Sequence, residues 1–199
     1  GRLGTNRFIV NRLTLVMVVL LYSIVPVSTQ TAAPSYIQMA NFRTAQRCLE
    51  LAKNALINFN YDEAYYLVLT GLDYDNTIPD LWYLKALLLS YQDGKRYEII
   101  EAVETSLQGG QWLYYTPEAA RILTAQVLVK TGSPKKALEI LDAKPLVITS
   151  DAEYIRADAC YKISEVQKAR EIISRARKSF PKDTRFPLLF FAQERFTYD

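Results

Sequence analysis

The chain has no histidine among its 199 residues, and only two cysteines and seven glycines. The missing imidazole removes the commonest general base and metal ligand. Cys48 and Cys160 lie far apart, on apolar faces of segments with helical spacing. They read as buried free thiols, neither a disulfide nor a redox pair. Gly109-Gly110 lacks the surrounding Lys-Ser/Thr context of a phosphate loop. No metal-ligand spacing and no nucleophile–base pair is visible. Asp73, Asp75 and Asp80 cluster around one turn, where solvated caps and surface charge are expected. The sequence therefore points away from an enzyme and implies no cofactor and no metal.

Acidic residues are absent from positions 1–49, and Arg2, Arg7 and Arg12 precede a long apolar run. Without those three arginines, the 24 basic residues fall to 21 and match the 21 acidic ones. A nucleic-acid partner has no electrostatic footprint in such a balance. The run itself, Leu13 to Val27, carries no charge, and none appears until Arg43. Residues 1–12 form a basic flank, and 13–33 form a hydrophobic helix with two readings. A cleaved signal peptide fits the arginines, the apolar stretch and the small residues from Ser28 to Ala33. A retained transmembrane anchor fits the neutral run extended through Ala33. Either way, positive-inside logic keeps the N-terminus cytoplasmic. The rest is then expected to be membrane-anchored and extracytoplasmic, or exported to a bacterial periplasm.

From Tyr36 onward the apolar residues follow the three-four spacing of helices buried on one side. The stretch from Asp151 to Pro181 reads as two helices and a stop, with Ser150/Glu153 and Ser164/Gln167 as capping boxes. Asn60 with Glu63, Thr116 before Pro117, and Ser133 before Pro134 mark three further helix starts. Small residues recur at a fixed interval. Ala157, Ala169 and Ala176 are spaced twelve and seven apart, as are Ala52, Ala64 and Gly71. Ala125 and Ala137 repeat the twelve-residue step, and Lys144-Pro145 then cuts the second helix short. Ala86 finds its partners at Ile99 and Ser106 if the turn between them gains one residue. The first-helix alanines 52, 86, 125 and 157 are 34, 39 and 32 residues apart.

These small pairs, with Trp82 and the closing Pro181, resemble the tetratricopeptide repeat, a helix–turn–helix unit of about 34 residues. The resemblance covers residues 37–199. It departs from the family at Lys85, where a large aliphatic is usual, and in the missing closing prolines of the first and third units. It implies an all-α, right-handed superhelical α-solenoid of about four repeats (37–78, 79–115, 116–149, 150–183) with a partial fifth at 184–199. It further implies a concave groove, lined by the first helix of each pair, that holds a protein or peptide partner. The positions carried over are Gln46, Leu49, Lys53, Ile57, Tyr83, Leu87, Tyr91, Ile122, Gln126, Lys130, Tyr154, Asp158, Tyr161 and Lys162. The subtype that clamps a C-terminal carboxylate is not expected. Leu49, Tyr83, Leu87 and Tyr154 occupy the clamp positions, and only Lys53 and Lys130 are basic nearby. The function implied is a scaffold or adaptor. The terminal FPLLFF segment is apolar almost all round. It supports an alternative, a structural subunit that self-associates through its last helix.

Overall fold

A computed structural model describes residues 35–195. The hydrophobic helix expected at 13–33 lies outside the described residues. Among the described residues no helix is long and apolar enough to cross a membrane. They are helical, with connecting turns and linkers: α1 (Tyr36–Ile57), α2 (Tyr61–Tyr74), α3 (Pro79–Ser90), α4 (Arg96–Leu107), α5 (Pro117–Lys130), α6 (Pro134–Asp142), α7 (Ser150–Lys162), α8 (Val166–Ser179) and α9 (Arg185–Glu194). Helices pack as consecutive pairs, α1 on α2, α3 on α4, α5 on α6 and α7 on α8, and each pair packs on the next. The apolar core follows the stack as three successive clusters, spanning residues 45–88, 83–127 and 125–189. Each repeat thus buries its surface against its neighbours alone, the energetic signature of a solenoid.

The small residues sit where helices approach. Ala52, Ala64, Ala86, Ala125, Ala137, Ala157 and Ala169 are all fully buried. At Gly71 a Cβ would lie 3.0 Å from Leu81 Cδ2 and 3.2 Å from Cys48 Cβ, so a side chain there would have to push these neighbours aside. Ser106 is equally buried, and its hydroxyl donates back to the Val103 carbonyl. Cys48 and Cys160 are both buried and free, as their apolar faces imply.

Three of the four turns within pairs close in the same way. The amides of Asn60, Ser133 and Glu165 reach back five residues to the carbonyls of Ala55, Leu128 and Cys160. The residue before each, Phe59, Gly132 or Ser164, is left-handed, with φ of 60°, 84° and 66°. This is the Schellman closure of a helix C-terminus, which glycine enters without a steric penalty. The longer turn of the second pair uses Gly94, at φ 78°. Phe59 and Ser164 are the non-glycine residues of the series, and each pays about 1–2 kcal/mol for this conformation; Phe59 is the bulkier.

Two of the expected capping boxes do not form. Thr149, not Ser150, caps α7, its hydroxyl accepting from the Ala152 amide at 3.1 Å. Ser150 falls one residue inside the helix and hydrogen-bonds Asp183 instead. Glu153 turns into the core, where Arg156 and Arg175 reach its two oxygens at 2.6 and 2.8 Å. Ser164 is the left-handed turn residue, and Gln167 donates along the helix to Glu171. Asn60 and Ser133 stand at N-cap positions, but their side chains bond Glu63 and Arg96 in place of the helix amides. Thr116 caps α5 as expected, accepting from the Ala119 amide with Pro117 at the first helical position.

Candidate functional site

The first helices α3, α5 and α7, together with α9, surround a hollow of about 310 Å³. Its apolar lining is Leu87 from α3, Ala119, Ile122 and Leu123 from α5, and Ile155 from α7. Polar groups stand among them: Tyr83, Gln126, Tyr154, and the pair Asp151–Arg185. Arg185 donates to Asp151 at 2.8 Å and lies 5.1 Å from the centre of the Tyr154 ring. It also forks onto Asp183, and its guanidinium holds that carboxyl well below the usual carboxylate range. Burial pushes the Tyr83 phenol above its ordinary value. A hollow with an apolar lining and a few polar groups is the usual chemistry of a recognition site. It can take an apolar side chain, with Gln126 positioned for a neighbouring amide.

The N-terminal part of the first-helix surface is built differently. Between α4 and α5, residues 108–116 form an irregular linker anchored by Asp80 in the first turn of α3. The Asp80 carboxylate is fully buried and accepts from the amides of Leu113, Tyr114 and Tyr115 at 2.9, 2.8 and 2.8 Å. This corrects the expectation that Asp80 is a solvated turn residue. Three backbone donors replace the water it loses. Held so, Tyr115 packs against Tyr83 with ring centres 4.8 Å apart, and Trp112 meets the same ring at 6.3 Å. Tyr114 lies along α1: its hydroxyl donates to Glu50 at 2.8 Å, and Lys53 Nζ sits 3.4 Å from its ring centre. Gln46 also hydrogen-bonds Tyr114.

The expected groove residues therefore do not all meet in one place. Tyr83, Leu87, Ile122, Gln126 and Tyr154 meet around the hollow. Gln46 and Lys53 touch the linker's Tyr114, and Leu49 is fully buried in the core. Ile57 and Tyr91 are exposed at the turn end of α1 and α3, where Tyr91 stacks 5.1 Å from Tyr61. Lys130 lies 3.7 Å from Asp93, and Asp158 and Lys162 pair with each other at 3.2 Å. Tyr161 packs against the last core cluster, and burial raises its phenol. The sequence reading missed Asp151 and Arg185 in the hollow; it placed an irregular loop at Gln111 to Tyr115 after Gly109-Gly110 but missed how that linker packs on α1 and α3. The linker's signals were the Gly109-Gly110 pair and the 39-residue step between Ala86 and Ala125.

A second cavity, about 630 Å³, opens between α6 and α8, where α6 ends after nine residues. Its buried polar groups, Glu153 and Arg156, already bond each other and the neighbouring backbone.

The comparisons with known proteins agree with this geometry. The family described as anaphase-promoting complex, cyclosome, subunit 3 matches residues 113–176. Among solved structures, the MamA RS-1 ArsTM double mutant superposes with a TM-score of 0.63 at 18% identity, over 78% of this chain and 86% of its own. YrrB, described as a TPR protein with an unusual peptide-binding site, gives 0.58 at 17% identity, over 75% of this chain and 77% of its own. The fold is that of a tetratricopeptide-repeat α-solenoid. A protein of Treponema pallidum (strain Nichols), described as uncharacterized, is 40% identical over 85 residues, which are 43% of this chain. The chain spans 11% of the length of that curated relative.

Proposed function

We propose that the chain is a non-enzymatic adaptor that holds a polypeptide segment of a partner in the hollow between α3, α5, α7 and α9. The observation that carries this reading is the hollow itself. Five residues from three first helices converge there with Asp151 and Arg185 around an apolar lining. Tyrosines suit such a site because they offer apolar area and a hydroxyl at small entropic cost. A photoreactive residue placed at Gln126, on the rim of the hollow, tests it in cells. The expected result is polypeptide adducts at Gln126 that disappear with Tyr83→Ala and Tyr154→Ala, and no such adducts from Tyr66, exposed on a second helix. Equal adducts from both positions would reject the hollow as the site.

The proposal extends to where this happens. The arginine-flanked apolar run at 13–33 supports export of the repeat domain, either tethered by that run or released by cleavage. Protease added to intact spheroplasts should then digest the repeats, and the N-terminal residue of the mature protein separates tether from cleaved signal.

A second reading has its own observation. On α9, Phe186 and Leu189 are buried, whereas Leu188 and Phe191 are exposed by 65% and 66%. That face supports self-association through the last helix. Light scattering at rising concentration should show a dimer that Leu188→Lys abolishes; a monomer throughout rejects it.

A further inference from the structure

The rim formed by the turn between α1 and α2 carries an aromatic cluster that nothing in the hollow requires. Phe59 stands at its centre, 76% exposed, with Tyr61 at a ring distance of 6.4 Å. Tyr61 in turn stacks on Tyr91, at the end of α3, at 5.1 Å. Ile57, two residues before Phe59, is 70% exposed.

Two independent observations set this cluster apart. Its exposure is one, because contiguous aromatic surface of this kind is uncommon without a partner. The second is backbone conformation. Phe59 occupies the left-handed position that the equivalent turns fill with Gly94, Gly132 and Ser164. A bulky residue there is strained, and an exposed ring recovers nothing by burial within the chain. A glycine would close the turn more easily, so the ring is held at this place at the expense of the fold.

The surrounding charge says what the cluster fits. Residues 57–63 and 91–94 contain Asp62, Glu63 and Asp93, and the cations that follow, Lys95 and Arg96, are engaged by Glu98 and by Ser133, each at 2.9 Å. Asp62 and Glu63 are exposed in the first turn of α2, and the Asp93 side chain is wholly exposed, with Lys130 3.7 Å away. Aromatic side chains beside the exposed carboxylates of Asp62 and Glu63 are complementary to a basic polypeptide with an apolar anchor, and such carboxylates repel an anionic membrane.

We propose that the Phe59–Tyr61–Tyr91 rim is a second interaction surface, separate from the hollow. It takes a lysine- or arginine-bearing peptide segment that docks an aliphatic or aromatic side chain against Phe59. The test is selection of a random dodecapeptide library displayed on phage against the full chain, followed by affinities of the selected peptides for variants. The expected peptides combine Lys or Arg with an apolar residue. They bind at least tenfold more weakly to Phe59→Gly, whose melting temperature is unchanged or about 2 °C higher because the turn relaxes. The pair Asp62→Lys, Glu63→Lys weakens them to a similar degree, and Tyr154→Ala in the hollow leaves them unaffected.

Peptides that bind Phe59→Gly as well as the parent would overturn the proposal, as would selected peptides lacking basic residues. Concentration-dependent dimers lost in Phe59→Gly would overturn it in favour of a second copy of the chain. Co-sedimentation with phosphatidylglycerol vesicles, lost in Phe59→Gly, would overturn it in favour of a lipid surface. A loss at Tyr154→Ala with Phe59→Gly unaffected would return the binding to the hollow alone.

Discussion

The two linkers that break the regularity of the stack are held by charges of opposite sign. Residues 108–116 present amides, and Asp80 collects three of them. Residues 143–149 follow the shortened α6 and present carbonyls, which two arginines collect. Arg156 donates to the Leu141 and Val147 carbonyls, each at 2.7 Å. Arg121 donates to the Ile140, Ala143 and Pro145 carbonyls, each at 2.6 Å. A helix that stops early leaves its last carbonyls without partners, and a cation answers them; a loop that offers amides is answered by a carboxylate. The consequences for the first-helix surface differ. The carboxylate draws its linker to the start of α3, from where Tyr114 reaches α1. The arginines hold theirs at the end of α6, and none of its residues lines the hollow.

The largest expected loss tests the cationic anchor. Arg156 is 5% exposed and donates to Asp142, Glu153, Leu141 and Val147. Arg156→Ala leaves Glu153, itself 3% exposed, with Arg175 as its remaining partner. Removing one member of a buried, hydrogen-bonded pair costs about 3–5 kcal/mol. Urea unfolding should show that loss in the midpoint. A change below about 1 kcal/mol would mean that the linker carbonyls are answered equally well by Arg121 and water.

Next in size is the anionic anchor. Asp80→Ala strands three partly buried amides, at a cost of about 2–4 kcal/mol. Asp80→Asn keeps one carbonyl oxygen and should cost about half as much. Trp112 lies on this linker, so its fluorescence should shift toward that of an exposed indole in Asp80→Ala and remain unchanged in Arg156→Ala. A red shift in both would show that the two linkers are not held independently.

What could be read from the sequence was the part of the structure set by close approach and by short range. An alanine or glycine at a helix crossing is required by the crossing, so the twelve-and-seven spacing found the pairs. Thr116-Pro117 was legible because a cap bonds within three residues. The anchors were not. The partners of Asp80 lie 33 to 35 residues downstream, and nothing near Asp80 distinguishes it from the turn residue Asp75, which accepts from Thr77 two positions on. Thr149 and Ser150 are both good caps, and a tertiary bond to Asp183 placed Ser150 one residue inside. Groove positions carried over by register reached the hollow where first helices face one another, at Tyr83, Ile122 and Tyr154. They could not show that Tyr114 lies on Gln46 and Lys53, because the linker that carries it interrupts the repeat. Arg185 escaped because it opens α9, beyond the last complete pair.

A third expectation separates the linkers by pH. Burial, with Tyr83 and Asp80 adding to it, pushes the Tyr115 phenol from 10.0 to about 12. The unfolded chain loses this proton near the ordinary value while the folded chain keeps it. Folding stability is therefore complete below about pH 10 and falls as pH rises towards about 12. Absorbance at 295 nm should show late-titrating tyrosines, and the contribution lost in Tyr115→Phe should move towards the ordinary range in Asp80→Ala. If Tyr115 titrates late in that variant too, its burial against Tyr83 does not depend on the carboxylate anchor.

The smallest effect is expected where Tyr114 rests on α1. The ring is 41% exposed, and its contacts with Glu50 and Lys53 are open to solvent. Tyr114→Phe removes the hydroxyl that donates to Glu50 and keeps the ring under Lys53. Exposed hydrogen bonds and cation–π contacts each contribute about 1 kcal/mol or less. The change in stability should therefore stay below about 0.5 kcal/mol, since water replaces the lost donor. Tyr114→Ala removes both contacts and should still cost no more than about 1 kcal/mol, because the linker's hold comes from its backbone amides on Asp80. Its use is diagnostic. With the ring gone, Gln46 and Lys53 become free to contact a ligand, while Asp80 keeps Tyr115 in place against Tyr83. A photoreactive residue at Lys53 in the Tyr114→Ala background should then capture the polypeptide that Gln126 captures. If only Gln126 does so, the hollow alone sets the footprint, and Tyr114 covers a surface that the ligand never reaches.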